Sequence, residues 1–261
     1  MLRFFNKRRD TGGGLDSRQA LVALYNSRSA ASEAYRMLRT NIHFSSGGDS
    51  LNVLVVTSTL PGEGKSLTAA NLAITFSQAG ESVVLVDADM RRSTLHEKFE
   101  LPESPGLSEA IVSGNIEASL KDGPVEGLKL MTSGLTPPNP SELLHSKRMD
   151  SLLDDLKSRS DLIIVDAPPV LAVTDASVLA SKADGVIVVM NMQMSDKNAS
   201  KRAIDALRAV NARILGTVIT GLEPARNHYG RRNYYDRYYY YYDSEYGSNE
   251  QEGTPRERTV Q

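Results

Sequence analysis

Thr57-Ser58-Thr59-Leu60-Pro61-Gly62-Glu63-Gly64-Lys65-Ser66 is the stretch whose reading decides the fold. It follows an apolar run, residues 51–58, and leads into the helix-forming Leu67-Thr68-Ala69-Ala70. That strand–loop–helix setting is what a phosphate-binding Walker A loop requires. Successive backbone N–H groups and a helix N-terminus supply positive potential for phosphate. Lys65 reaches the β and γ oxygens, and the Ser66 hydroxyl suits magnesium. Gly62 and Gly64 let the backbone approach an anion closely. Thr59 stands where the usual pattern has its first glycine, so context rather than the bare pattern identifies the loop.

Working outward, residues 51–58, 82–86, 128–131, 162–165, 185–190 and 214–219 read as strands, nearly all buried on both faces. Residues 66–79, 107–113, 141–159, 175–181 and 195–210 have helical length or spacing. This alternation predicts an α/β fold, a mostly parallel sheet flanked by helices. Ser141 reads as the cap of one helix, Ser195 with Asp196 as the cap of another, and Gly80 closes the first.

The second run of Val and Leu enters Asp87-Ala88-Asp89-Met90-Arg91-Arg92, and Leu162-Ile163-Ile164-Val165 enters Asp166-Ala167-Pro168-Pro169. Carboxylates at the C-terminal ends of parallel strands sit on the ligand side of an open α/β sheet. Asp166 resembles a Walker B carboxylate that binds magnesium directly or through water. Asp87 and Asp89 share a face only if the strand continues regularly past Val86; a loop there separates them. A lone aspartate at a strand end is often a turn residue, but three at two strand ends, beside a phosphate loop, point to a site.

Composition sets the bounds. The chain has 261 residues, 40% hydrophobic and 24% charged, and 30 Lys plus Arg against 32 Asp plus Glu leave a net charge of −2. A broadly basic nucleic-acid binder is not expected. Without cysteine, the chain has no disulfide, thiolate zinc site or cysteine nucleophile. No apolar run approaches the roughly 20 residues of a membrane-spanning helix. A cytoplasmic protein is the expectation. Nine of the eleven tyrosines cluster at Tyr229, Tyr234, Tyr235, Tyr238, Tyr239, Tyr240, Tyr241, Tyr242 and Tyr246, in a segment almost without aliphatic residues. Such a segment buries too little apolar area to offset its ordering entropy. The expected organisation is a flexible basic N-terminus over 1–16, a nucleotide-binding domain over 17–228 and a flexible tyrosine-rich tail over 229–261.

Together these motifs resemble the bacterial tyrosine kinases of the capsular and exopolysaccharide type, the BY-kinases, whose Walker A, A′ and B motifs match the three stretches above. Their kinase domain is related to the MinD and ParA P-loop ATPases. Gly134-Leu-Thr-Pro-Pro-Asn-Pro-Ser-Glu-Leu-Leu144 and the tyrosine cluster also match, and Glu33, Arg36 and Arg39 fit the family's E-x-x-R-x-x-R oligomerisation motif. On a helix those three lie along one broad face, where an intrahelical Glu–Arg pair is the alternative to an interface. Leu60 replaces the lysine that MinD and ParA proteins carry early in the loop, which fits the kinases better. Thr220 stands where relatives in this branch commonly place an asparagine that touches adenine.

The resemblance implies an ATP-dependent tyrosine autokinase acting in trans on its own cluster, with a MinD- or ParA-like positioning ATPase as the alternative. ATP and Mg²⁺ would be bound by Gly62, Glu63, Gly64, Lys65, Ser66 and Leu67, with Arg91 clamping phosphate or an acidic tail. Ser66, Asp89 and Asp166 would hold the metal. Asp87 is the candidate for accepting the tyrosine proton, beside Lys65 and Asp89 as catalytic residues. Partners implied are further copies in a ring, a membrane-spanning polysaccharide co-polymerase that recruits the kinase to the inner membrane face, and a phosphotyrosine phosphatase.

Overall fold

Valine, leucine and isoleucine make up β1 (Val53–Ser58) as far as Val56, β2 (Val83–Asp87) as far as Val86 and β5 (Leu162–Asp166) as far as Val165, and all three strands are buried along their whole length, polar ends included. Strands of this kind need cover on both faces, so they occupy the centre of a sheet. The computed structural model describes residues 20–45 and 50–222; the expected basic N-terminus and the tyrosine cluster lie outside the described residues. With β3 (Lys121–Asp122), β4 (Leu128–Met131), β6 (Gly185–Asn191) and β7 (Ile214–Thr220) the sheet order is β3-β4-β2-β5-β1-β6-β7. All pairings are parallel except β3 with β4. Six of the strands are those expected. β7 departs from the expected two-sided burial: it is the sheet's edge, and several of its residues face solvent.

The helices are α1 (Val22–Tyr25), α2 (Ala30–Ser45), α3 (Lys65–Ser77), α4 (Leu95–Phe99), α5 (Leu107–Ser113), α6 (Pro140–His145), α7 (Lys147–Lys157), α8 (Asp175–Ala180) and α9 (Lys197–Ala209), with one 3₁₀ turn at Glu117–Ser119. One hydrophobic cluster joins the sheet to α5, α7, α8 and α9, and a second, on the other face, joins it to α1, α3 and α4. In α3 every residue but Leu67 is buried, which small Ala69, Ala70 and Ala73 permit. The Asn71 amide ties this helix outward: Oδ1 accepts the Ala23 N–H and Nδ2 donates to the Ala20 carbonyl. Thus α1 and α2 form an outer layer over α3.

The single helix expected over 141–159 is two. Pro140 opens α6, and Ser146 leaves helical geometry to cap α7, its side chain accepting from the Met149 N–H. Asp196, not Ser195, caps α9, accepting from Ala199 N–H at 3.0 Å. The loop at 134–136 is fastened by Glu109, whose carboxylate accepts from Gly106 N–H (2.8 Å), Leu135 N–H (3.1 Å) and the Ser104 hydroxyl (2.8 Å). Burial alone raises the Glu109 pKa, but these donors outweigh it and hold the group down to about 2. A carboxyl held below its ordinary 4.5 contributes stability that is complete above that value and lost as pH falls towards about 2. Glu109→Gln is therefore expected to cost about 1 kcal/mol at neutral pH, roughly 2–4 °C in Tm. It should also flatten the acid limb of a Tm-versus-pH curve below about pH 4.5. An unchanged acid limb would remove Glu109 from this role.

Candidate active site

Because β2, β5 and β1 are neighbours, their C-terminal ends bring three sequence-distant segments together. The register sets Asp87 beside Asp166 and Asp166 beside Val56, two residues before β1 ends in the Walker A loop. Gly62 and Gly64 have φ of +85° and +91°, and Gly64 is the N-cap of α3. A side chain at either position would be strained, so the loop needs glycine there.

Lys65, the first residue of α3, does not extend into open space. Its Nζ lies 2.9 Å from Asp89 Oδ2 and 3.1 Å from Asp166 Oδ1, and it donates to Ser66 Oγ at 3.2 Å. Burial opposes the ammonium charge, but Asp166 and then Asp89 outweigh it and raise the Lys65 pKa. The lysine is a fixed cation between two acids. Burial raises the pKa of Asp166, and the Lys65 charge opposes that rise.

Asp87 closes β2 and Asp89 lies in the loop beyond it, so the two carboxylates have different surroundings. Asp87 Oδ1 accepts the Asp89 N–H at 3.2 Å, and Oδ2 accepts the N–H groups of Thr94 (3.2 Å) and Leu95 (3.1 Å), which start α4. Asp87 thereby shapes the loop that presents Asp89. Burial pushes its pKa up to about 7, helped by the negative charge of Asp166.

Glu63 is fully buried inside the phosphate loop. Its Oε2 accepts the Leu60 N–H at 2.8 Å, and the Ser195 hydroxyl donates to Oε1. Thr220 Oγ1 donates to the Glu63 carbonyl at 2.8 Å. Thus Ser195, expected as a helix cap, and Thr220, at the position expected near adenine, both brace the Walker A loop. Leu67 is partly buried against the core. Ser141, also expected as a cap, turns to α8, where its hydroxyl donates to Asp175. The sequence signal for Asp175 was weak, because Thr-Asp before a helix reads as a start signal. Glu33, Arg36 and Arg39 lie on α2 with partners in their own chain. Arg36 Nη1 meets Glu33 Oε2 at 2.5 Å and Arg39 Nη1 donates to the Thr75 carbonyl at 2.9 Å.

A cavity of about 630 Å³ opens elsewhere, beside Ser82–Val84 and residues 124–129, where β2 and β4 begin. It is remote from the strand ends that carry these acids.

A family model described as "NUBPL iron-transfer P-loop NTPase", of the ParA type, matches residues 50–223. Tyrosine-protein kinase YwqD of Bacillus subtilis is 37% identical over 220 residues, covering 82% of this chain and 93% of YwqD. The chain belongs to the bacterial tyrosine-protein kinase family. Putative tyrosine-protein kinase EpsB of Ralstonia nicotianae is another member, 39% identical over 79% of this chain but only 28% of EpsB. Among solved structures, the chimerical protein CapA2B2 superposes with a TM-score of 0.76 at 36% identity, over 78% of this chain and 90% of CapA2B2. The expected fold, a mostly parallel P-loop sheet flanked by helices, is the fold of this family.

The tyrosine-kinase family implies nucleotide with Mg²⁺, and the residues fit that ion. Asp166 Oδ2 is buried without a hydrogen-bond partner. Among the described residues no group of three His, Cys, Asp or Glu side chains could hold a metal ion. Mg²⁺ is commonly held by one or two carboxylates together with substrate phosphates and water, as a site with Ser66, Asp89 and Asp166 would allow.

Proposed function

We propose that this chain is an ATP-dependent tyrosine kinase that phosphorylates the Tyr229–Tyr246 cluster of a neighbouring copy and thereby regulates capsular or exopolysaccharide synthesis and export. The observation that carries this reading is Lys65 held between Asp89 and Asp166 beside Ser66, in a relative of YwqD that carries nine clustered tyrosines at 229–246. Leu60 and that cluster favour it over a ParA-like positioning ATPase.

Ser66, Asp89 and Asp166 would hold Mg²⁺, whose charge would offset that of the phosphates. The backbone around Gly62 to Ser66 orients the phosphates, and Lys65 exchanges a carboxylate for them. Asp87 accepts the tyrosine proton, for which a pKa near 7 is well placed at neutral pH. Its three backbone contacts also hold the surrounding loop. Positioning matters as much as base strength in a loose phosphoryl-transfer transition state.

Trans transfer is the arrangement we assign to an assembly joined through Glu33, Arg36 and Arg39, in which the cluster, beginning nine residues after Thr220 at the end of β7, is offered to a neighbouring copy's site. Each added phosphate brings about −1.5 to −2 charge, so labelled copies repel and the assembly loosens. No described helix is long and apolar enough to cross a membrane. The reading assigns membrane attachment to a separate co-polymerase and removal of the phosphates to a phosphatase.

The test mixes a Lys65→Met chain bearing the intact cluster with an active chain whose nine clustered tyrosines are Phe. Phosphotyrosine on the Lys65→Met chain is the expected result, reduced when both carry Arg36→Ala and Arg39→Ala. No label there, while wild type labels itself at a concentration-independent rate, would reject trans transfer. No label on wild type would reject the kinase reading.

A further inference from the structure

We propose that Asp175 and Ser141 are positioning residues that aim the Arg91 guanidinium at acidic residues flanking the acceptor tyrosine, making Arg91 the specificity-determining cation of the site. The proposal rests on the kinase reading above and names the peptide chemistry that the site selects.

Arg91 lies two residues beyond Asp89, at the mouth of the site. Its Nε donates to Asp175 Oδ2 at 3.2 Å and its Nη2 to Ser141 Oγ at 3.2 Å, while the Ser141 hydroxyl donates to Asp175 Oδ1. The Asp175 side chain is only 1% exposed, whereas that of Arg91 is 42% exposed. A buried carboxylate and a hydroxyl from α8 and α6 thus fix an arginine whose far end meets solvent.

Which donors are used decides what remains. A guanidinium carries five N–H groups in a rigid fork. Nε and Nη2 share one edge, and Asp175 and Ser141 occupy it. The end formed by Nη1 and the second Nη2 hydrogen has no partner among the described residues. Two parallel N–H groups at that end match a carboxylate. Asp175 offsets part of the arginine's charge, so geometry rather than net potential is what the arrangement provides. Arg92, by contrast, is tied only through its backbone N–H to Asp89, and its exposed side chain has no fixed direction.

The ligand class follows from what lies among the tyrosines. Asp236, Asp243 and Glu245 punctuate the cluster, each within two residues of a tyrosine. Phosphate already has Lys65 and the Walker A backbone. Arg91, held from α6 and α8 and partly exposed two residues beyond Asp89, is a second fixed cation, left for the acidic residues of the cluster.

The experiment measures binding to the full-length chain, in the presence of a non-hydrolysable ATP analogue, of two labelled peptides. One has the sequence of residues 233–246; the other has Asp236→Asn, Asp243→Asn and Glu245→Gln. Phosphorylation of both peptides is followed in parallel reactions that contain ATP and Mg²⁺ in place of the analogue. Arg91→Met and Asp175→Asn should each weaken binding of the acidic peptide about tenfold, and Ser141→Ala about threefold. The neutral peptide should bind all variants within about twofold of wild type, and the ATP analogue should bind Asp175→Asn and Ser141→Ala within the same range. Asp175→Asn should add nothing in an Arg91→Met background, because it acts through that arginine. If Asp175→Asn does not fold, Ser141→Ala carries the test. Parallel loss of both peptides, or weakened ATP-analogue binding with acidic-peptide binding intact, would overturn the proposal. Selective acidic binding without any tyrosine labelling would sustain it and reject the kinase reading. Labelling of both peptides with equal KM in every variant would do the reverse.

Discussion

Lys65→Met is expected to abolish tyrosine phosphorylation and, at the same time, to lower the stability of the nucleotide-free protein. The second effect separates this lysine from one that waits in solvent. Its Nζ sits between Asp89 and Asp166, with side chains only 11%, 6% and 1% exposed, so methionine would leave buried carboxylates without their cation. Breaking a buried pair from one side costs about 3–5 kcal/mol, because the remaining charge keeps its desolvation penalty. For a domain of this size that is roughly 10 °C in Tm. Adding Asp89→Asn to Lys65→Met should recover part of the loss, since it removes one orphaned charge. Differential scanning calorimetry of the three proteins without nucleotide decides the matter. A Lys65→Met chain that melts with wild type would show that the acids do not depend on the lysine.

Asp87→Asn should lower phosphorylation by about 100-fold or more while nucleotide affinity changes by only a few-fold. It should also lower Tm. Two carboxylate oxygens now serve the N–H groups of Asp89, Thr94 and Leu95, whereas an asparagine amide would set its NH₂ against some of those donors. A buried N–H left unpaired in this way costs about 1–3 kcal/mol. Autophosphorylation rate, ATP-analogue binding and Tm measured on the same preparation separate the two duties. Undiminished labelling would remove Asp87 from the transfer step, and an unchanged Tm would remove it as the anchor of α4.

The central sheet was legible because its strands advertise themselves. A run such as Leu162-Ile163-Ile164-Val165 has no polar face, and that pattern demands a position covered on both sides. The short elements carried no such signal. β3 is the polar pair Lys121-Asp122, a strand only because β4 lies alongside it. The five-residue α4 starts where Asp87, well upstream, accepts its first N–H groups. Neither fact has a local trace. The site shows the same division. Lys65, Ser66, Asp87, Asp89 and Asp166 stand at strand ends or on the loop, where position alone marks them. Their supports do not: Asp175 meets Arg91 across 84 positions and Ser195 meets Glu63 across 132, distances over which one sequence gives no pairing information. Polar residues beside helix starts read as caps, which holds for Asp196, whereas Ser195 serves Glu63 and Ser141 serves Asp175.

The Glu63 contacts also bear on portability. The ten residues from Thr57 to Ser66 look like a self-contained cassette, yet a fully buried glutamate at their centre depends on a hydroxyl from the β6–α9 connection, and its carbonyl on another from the end of β7. Transplanted alone into a foreign strand–helix junction, the decapeptide would bring an acid that keeps only the Leu60 N–H of its own loop and has no donor waiting for its other oxygen, in a cradle meant for anions. A graft that keeps its shape has to carry Ser195 and Thr220 with it, so the smallest transferable unit of this nucleotide loop is three segments drawn from three crossings of the sheet.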